Sequence, residues 1–268
     1  MSYRSALSEV LTSVVGPVAE ATAVQGRFPR AAVTALGRAG LLGLTVSTEF
    51  GGGARGLPEA VDVVARTARV CPATAAVLQS HYTAVAVIES SGSPWVRAEI
   101  AAGRHLASLA LADSEPEPET ERDGPTADTQ LLAPRSIATR SGEVVALRAH
   151  KRRVVAAGEA DLYVWSSRPL TAPDGLTLWV VPAHAPDLFV PARPTAAGPR
   201  GSATSTVFAD PVLVPAEAML GADGSGLDIV LRTVVPWLLE LRAAAEAPRP
   251  PALGLGRARR PAGSLAAS

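Results

Sequence analysis

The chain has 268 residues, apolar side chains at 47%, and 25 basic residues against 25 acidic ones. That length can bury the core of one large domain or two smaller ones, and the even charge excludes a general attraction to nucleic acid or to an anionic membrane surface. No apolar run reaches the roughly 20 residues that span a bilayer and no basic stretch precedes an apolar core near the start, so a cytoplasmic protein with a small neutral or enclosed ligand is expected. Cys71 stands alone, which rules out an internal disulfide and suits a buried small apolar residue. His81, His105, His150 and His184 are too scattered for a metal motif, and no metal site is expected.

Helical spacing governs the first hundred residues. Leu7, Val10, Leu11, Val14 and Val18 share one face, with Gly16 and Pro17 placed to bend or split the helix. Pro29 as a first helical residue and Gly40 as a stop frame a second helix, and Leu57, Val61, Val64 and Ala68 stripe a third. From Ala73 to Ile88 the chain is apolar almost all round, which describes a helix enclosed by others. Ser93, Pro94 and Gly103 delimit a short one after it.

Near Leu106 the period changes. LASLALA, EVVALRA, DLYVWS, LTLWVV and the stretch from ATSTVF to VLV are short, rich in valine, leucine and aromatics, and separated by turn residues such as PDG. After Gly224 one more helix begins, Pro236 interrupts it, and the proline-rich run from Pro248 holds no regular element. The expected fold class is α+β: a helical domain over 1–104, a β barrel or sandwich over 105–216, a short broken helix over 217–246, and a disordered tail over 247–268.

Two local patterns have a functional and a plainer reading. GGGARG at Gly51 to Gly56 satisfies the glycine spacing of a dinucleotide-binding turn, but another helix follows where a parallel strand is required, so a glycine-rich turn between helices is the better account. The acid-rich run from Asp113 to Asp123 alternates with proline and reads as a solvated loop over a cation site or a general base. No GxSxG elbow, Walker loop or paired-histidine zinc motif is present, which leaves hydrolase and nucleotide-triphosphatase chemistry without support.

Seven blocks in series carry a resemblance. FPR at Phe28, ALGRAGLLGLTVSTEFGGG from Ala35, CPATA from Cys71 with His81 beyond it, AAGRHLASLAL from Ala101, AGEADLYV from Ala157, GPRGSATSTVFADPVLVPAEAMLG from Gly198 and GSGLDIVLRT from Gly224 resemble the acyl-CoA dehydrogenase family. They cover its helical N-terminal domain, its middle β domain and the opening of its last helical domain. The resemblance implies an oxidoreductase, a flavoprotein that oxidises an acyl thioester, on CoA or an acyl carrier protein, to its α,β-unsaturated form. In that chemistry a carboxylate takes the α proton while FAD takes the β hydrogen, and an enclosed site strengthens the hydrogen bonds that polarise the thioester carbonyl.

The carry-over of site residues is narrow. Ser114, at the start of the run that matches the family's TEPGAGSD loop, and Val154, in the run Lys151 to Gly158 that matches its KTWITNAG block, are the implied cofactor-binding positions. Glu117 to Thr120 replace the glycines of the first block, and Val155 stands where the second brings a hydroxyl. No catalytic carboxylate carries over, since Glu240 lies on the broken helix and Glu117 in the acidic loop, and the family's C-terminal helical bundle is essentially missing from the sequence. The expectation is therefore weak FAD binding and impaired catalysis by this chain alone, with a second subunit or a homo-oligomer completing it. The alternative is a non-catalytic acyl-thioester-binding or partner subunit.

Overall fold

The computed structural model describes residues 2–113, 134–192 and 198–247. Ser114, Glu117, the acidic run beyond Asp113 and the tail beyond Ala247 lie outside them. Among these described residues six helices come first: α1 (Tyr3–Val10), α2 (Gly16–Gln25), α3 (Arg30–Arg38), α4 (Leu57–Ala68), α5 (Pro72–Ser91) and α6 (Pro94–Ala101). Eight strands follow: β1 (Ala107–Ala110), β2 (Ile137–Ser141), β3 (Val144–Val154), β4 (Leu162–Ser167), β5 (Thr177–Pro182), β6 (Leu188–Phe189), β7 (Ser205–Pro215) and β8 (Met219–Leu220). Two more helical segments, α7 (Gly226–Ile229) and α8 (Val235–Glu246), complete the order, so the fold is α+β as the change of period indicates.

Proline acts differently from the expectation. Leu11–Val15 and Val230–Val234 each form a π-helical turn, and each is followed by a helix with proline at its second position, Pro17 in α2 and Pro236 in α8. A proline within a helix removes one N–H and drives its ring against the carbonyl four residues back, and the wider turn before it makes room for both. The chain therefore stays helical from Tyr3 to Gln25 and from Gly226 to Glu246. One consequence corrects the sequence reading: the 23-residue run Tyr3–Gln25, whose most apolar 18-residue stretch has mean hydropathy 1.2, is long and apolar enough to cross a membrane by length and composition. Here Leu7, Val10, Leu11 and Val15 are buried in the helical core.

Thirteen residues of α5 are buried, on all sides, which is why its sequence shows no polar face. Glycine fixes the approach to α4: a Cβ on Gly52 would lie 2.1 Å from the Val46 carbonyl oxygen, so GGGARG is a turn folded onto the Leu44–Val46 backbone. No strand of a parallel sheet starts near Leu41, which removes the dinucleotide-binding reading.

The strands form two four-stranded sheets, β1-β4-β5-β8 and β2-β3-β7-β6. β1 runs parallel to β4 with Ala107 opposite Leu162, and the other pairs are antiparallel. All six residues of β4 are buried. Tyr163 and Trp165 face the core shared with the second sheet, whereas Leu162 and Val164 join Val85 and Ile88 of α5. A strand covered on both faces reads as a continuous apolar run, as DLYVWS does.

Candidate functional site

A cavity of about 620 Å³ lies where the helices meet the sheets. One wall is α5, whose Pro72, Ala75, Ala76 and Gln79 recur at the spacing of a single helical face. Leu109 on β1 and Leu111 after it form a second wall, and α8 with the π turn before it closes the third through Val230, Val234 and Leu238. A wider groove of about 1020 Å³ runs outside α1 and α3. Its lining is more polar than that of the first, and part of it is spent on structure: Glu59 caps α4 through the Gly56 N–H, and Arg4 pairs with Asp62. The first cavity is the better candidate site, being apolar with a few convergent polar groups.

A β-bulge supplies the charged lining. Lys151 pairs with Val207 and Val154 with Ser205, so one extra residue of β3 is squeezed out between them. Arg153 takes a left-handed backbone, φ 56°, and so does Ala156, φ 54°. Around the bulge Lys151 and Val154 stay buried in the core while Arg152, Arg153 and Val155 line the cavity. The implied cofactor position Val154 therefore faces away from the cavity, and its neighbour Val155 faces in. Ser114 lies outside the described residues.

Two buried polar joints hold the walls. His81 on α5 donates from Nε2 to the Leu42 carbonyl at 2.9 Å and accepts from the Ala107 N–H at Nδ1, 3.1 Å. Burial pushes its pKa down to about 4, so the ring is a neutral strut between α5, the Leu42 turn and β1. Lys151 makes the second joint, with its ammonium 2.7 Å from Asp113 and donating to the carbonyl and hydroxyl oxygens of Ser166 at 2.7 and 2.8 Å. Asp113 also accepts from the Arg135 and Ser136 N–H groups and from the Ser136 hydroxyl. Burial lowers Lys151 to about 8. Asp113, although its own burial acts to raise it, is held below the usual carboxylate range by the ammonium and these donors.

A short hydroxyl relay lies behind the lining. The Ser108 hydroxyl donates to the Val155 carbonyl at 2.5 Å, Ser80 and Ser108 hydroxyls meet at 2.8 Å, and Ser80 accepts from the Leu109 N–H at 3.0 Å. These groups are spent on one another. Sequence reasoning missed this relay and also missed Glu246, the one carboxylate among the described cavity residues, which Arg242 engages at 2.8 Å. Glu240, weighed as a base from sequence, is exposed on α8 and does not line the cavity. Helical spacing could have found Glu246: it falls four residues after Arg242 and eight after Leu238, on the same face.

Comparison with known proteins bears on the lineage. Residues 2–103 match the family described as acyl-CoA dehydrogenase, N-terminal domain. A cyclohex-1-ene-1-carbonyl-CoA dehydrogenase of Geobacter metallireducens is 27% identical over 232 residues, 84% of this chain and 58% of that protein. The chain resembles the acyl-CoA dehydrogenases, and its residues 2–103 match that family's N-terminal domain. A short-chain acyl-CoA dehydrogenase of Clostridium acetobutylicum is 22% identical over 86% of the chain and 60% of its own length, so the chain spans somewhat over half of these relatives. Among solved structures, butyryl-CoA dehydrogenase of Megasphaera elsdenii superposes with a TM-score of 0.77 at 20% identity, covering 91% of this chain and 63% of that one. FkbI, described for biosynthesis of a methoxymalonyl extender unit, gives 0.73 at 26% identity, covering 88% and 64%. The acyl-CoA dehydrogenase fold thus accounts for the helices, both sheets and the last helix.

FAD is the cofactor that the resemblance implies, and the described residues do not compose a site for it. Val154 is turned into the core, Val155 brings methyl groups, and the Ser80 and Ser108 hydroxyls are already engaged. The Arg152 and Arg153 guanidinium groups are the cations that the bulge turns to the cavity.

Proposed function

We propose that the cavity receives the acyl end of a thioester, carried by CoA or by an acyl carrier protein, and that the chain is the thioester-binding part of an acyl-CoA dehydrogenase-like oxidoreductase in the cytoplasm. The observation that carries this reading is the charge and texture of the cavity among the described residues: apolar walls from Ala75, Leu109, Val230 and Leu238, with the Arg153 guanidinium on the lining beside the Arg242–Glu246 pair. An apolar chain joined to an anionic carrier fits that combination.

In this reading α,β-dehydrogenation with FAD requires groups beyond the described residues, from a second subunit or a second copy of the chain. Glu246 is held by Arg242 at the exposed end of α8, so no positioned base is in place. Leu231 and Leu239, exposed on the same helical run, offer apolar area for such a partner to cover. The pairing of Glu246 also favours a second reading, a subunit that binds acyl thioesters without oxidising them.

The decisive assay is dye-linked oxidation of short, medium and branched acyl-CoA with added FAD, together with flavin absorbance of the purified chain. Loss of a positioned base alone removes roughly 100- to 10,000-fold in rate. We expect no turnover and far less than one flavin per chain. Turnover by the chain alone, abolished by Glu246→Gln, would refute the incomplete-site reading. Turnover that appears only on mixing with a second polypeptide would choose the dehydrogenase over the binding subunit.

A further inference from the structure

The face that α5 turns to the cavity is not uniform. Pro72, Ala75 and Ala76 present no hydrogen-bonding side chain, and Gln79, one turn further on, presents a carboxamide. The neighbouring hydroxyls are taken: Ser80 accepts from Leu109 and meets Ser108, and Thr204 meets Ser202 at 2.7 Å. The Gln79 side chain makes no hydrogen bond with any described residue and is half-buried at the cavity wall. An amide has two donors and two acceptor positions, and here all four are left to whatever fills the cavity.

We propose that Gln79 is a specificity-determining residue: it hydrogen-bonds an oxygen on the acyl chain, so the site takes acyl groups bearing a hydroxyl or carboxyl over plain alkyl groups of the same length. The inference rests on the acyl-thioester reading of the cavity given above. An alkyl chain laid on the Gln79 amide strips its water and returns no partner, whereas a hydroxyl or carboxyl oxygen replaces that water. A wall made only for alkyl chains would continue the alanines. Arg153, a cation on the cavity lining, favours the same class, since a carboxyl-bearing acyl group meets attraction there.

The test uses the purified full chain and thioesters of 4′-phosphopantetheine, the arm that CoA and acyl carrier proteins share, carrying butyryl, 4-hydroxybutyryl or succinyl groups. Calorimetric titration should show the two oxygen-bearing probes binding about tenfold tighter than butyryl, the worth of one neutral hydrogen bond. In Gln79→Leu the 4-hydroxybutyryl advantage should vanish while butyryl binds at least as tightly, which also shows that the cavity is intact. Gln79→Asn, a shorter amide, should keep part of the advantage. Equal binding of all three probes by the unaltered chain overturns the role of Gln79 and leaves the thioester reading standing. An advantage for 4-hydroxybutyryl that survives in Gln79→Leu does the same. Failure of every probe to bind overturns both readings together.

Discussion

The two buried polar joints beside the cavity solve one problem in opposite ways. His81 sits fully enclosed in the helical half and escapes the cost of burial by staying neutral, with one nitrogen donating and the other accepting. Lys151, as deeply enclosed in the β half, keeps a charge and depends on Asp113 and Ser166 to offset its lost hydration. A neutral joint fails when acid forces a proton onto it. An ionic joint fails when one partner is removed.

Removing the ionic partner should have the largest effect. Asp113→Ala leaves Lys151 buried without its counter-ion and also orphans the Ser136 donors, so it should cost about 3–5 kcal/mol in denaturant unfolding. Combining Asp113→Leu with Lys151→Met removes both charges. It should recover part of the loss, short of all of it because the Arg135 and Ser136 N–H groups still lack their acceptor. A double variant no more stable than Asp113→Ala would show that the pair is not what holds this joint.

Acid should break the neutral joint. His81 is lowered from 6.5 to about 4 in the folded chain, so the unfolded chain takes up the proton first as pH falls. The stability owed to the neutral ring is present above pH 6.5 and declines progressively down to about pH 4. The total is about 3 kcal/mol, from 1.36 kcal/mol per pKa unit. Unfolding free energies measured from pH 7 to 4 should show this slope, and His81→Gln should flatten it. An equal slope in both chains would assign the acid sensitivity to other groups.

The smallest effect should come from the hydroxyl relay that links the two halves. Ser108→Ala removes the donor to the Val155 carbonyl and a partner of Ser80, so a loss of about 1–3 kcal/mol is expected from the groups left unpaired. A change below 0.5 kcal/mol, on the scale of an ordinary surface substitution, would mean that water takes the place of the hydroxyl. That would make the junction wetter than the neutral joint beside it.

Much of this was legible in the chain. Periodicity placed the helices around Leu57, Ala73 and Ser93, and β-branched and aromatic runs placed β1, β3, β4, β5 and β7, because each of those segments shows its burial in its own composition. β2, β6 and β8 were missed: Ile137–Ser141 is largely exposed, and the other two are two residues long, so none carries a burial pattern of its own. Both proline sites were read as interruptions, since propensity ignores the wider turn that absorbs them.

The sequence by itself determined the α+β order, the lineage blocks and the apolar character of α5, because local composition and spacing are read along the chain. The tertiary structure alone decided which side chains meet. Glu240 and Glu246 lie on one helix, yet only Glu246 reaches the cavity, since the helix face is set by packing on α4 and α5. Lys151 and Val154 are three residues apart yet both point into the core, which strict alternation along a strand forbids, because the extra residue in β3 resets it and leaves Val155 to the cavity. A bulge is a mismatch between two strands, and one strand's sequence does not contain the length of its partner.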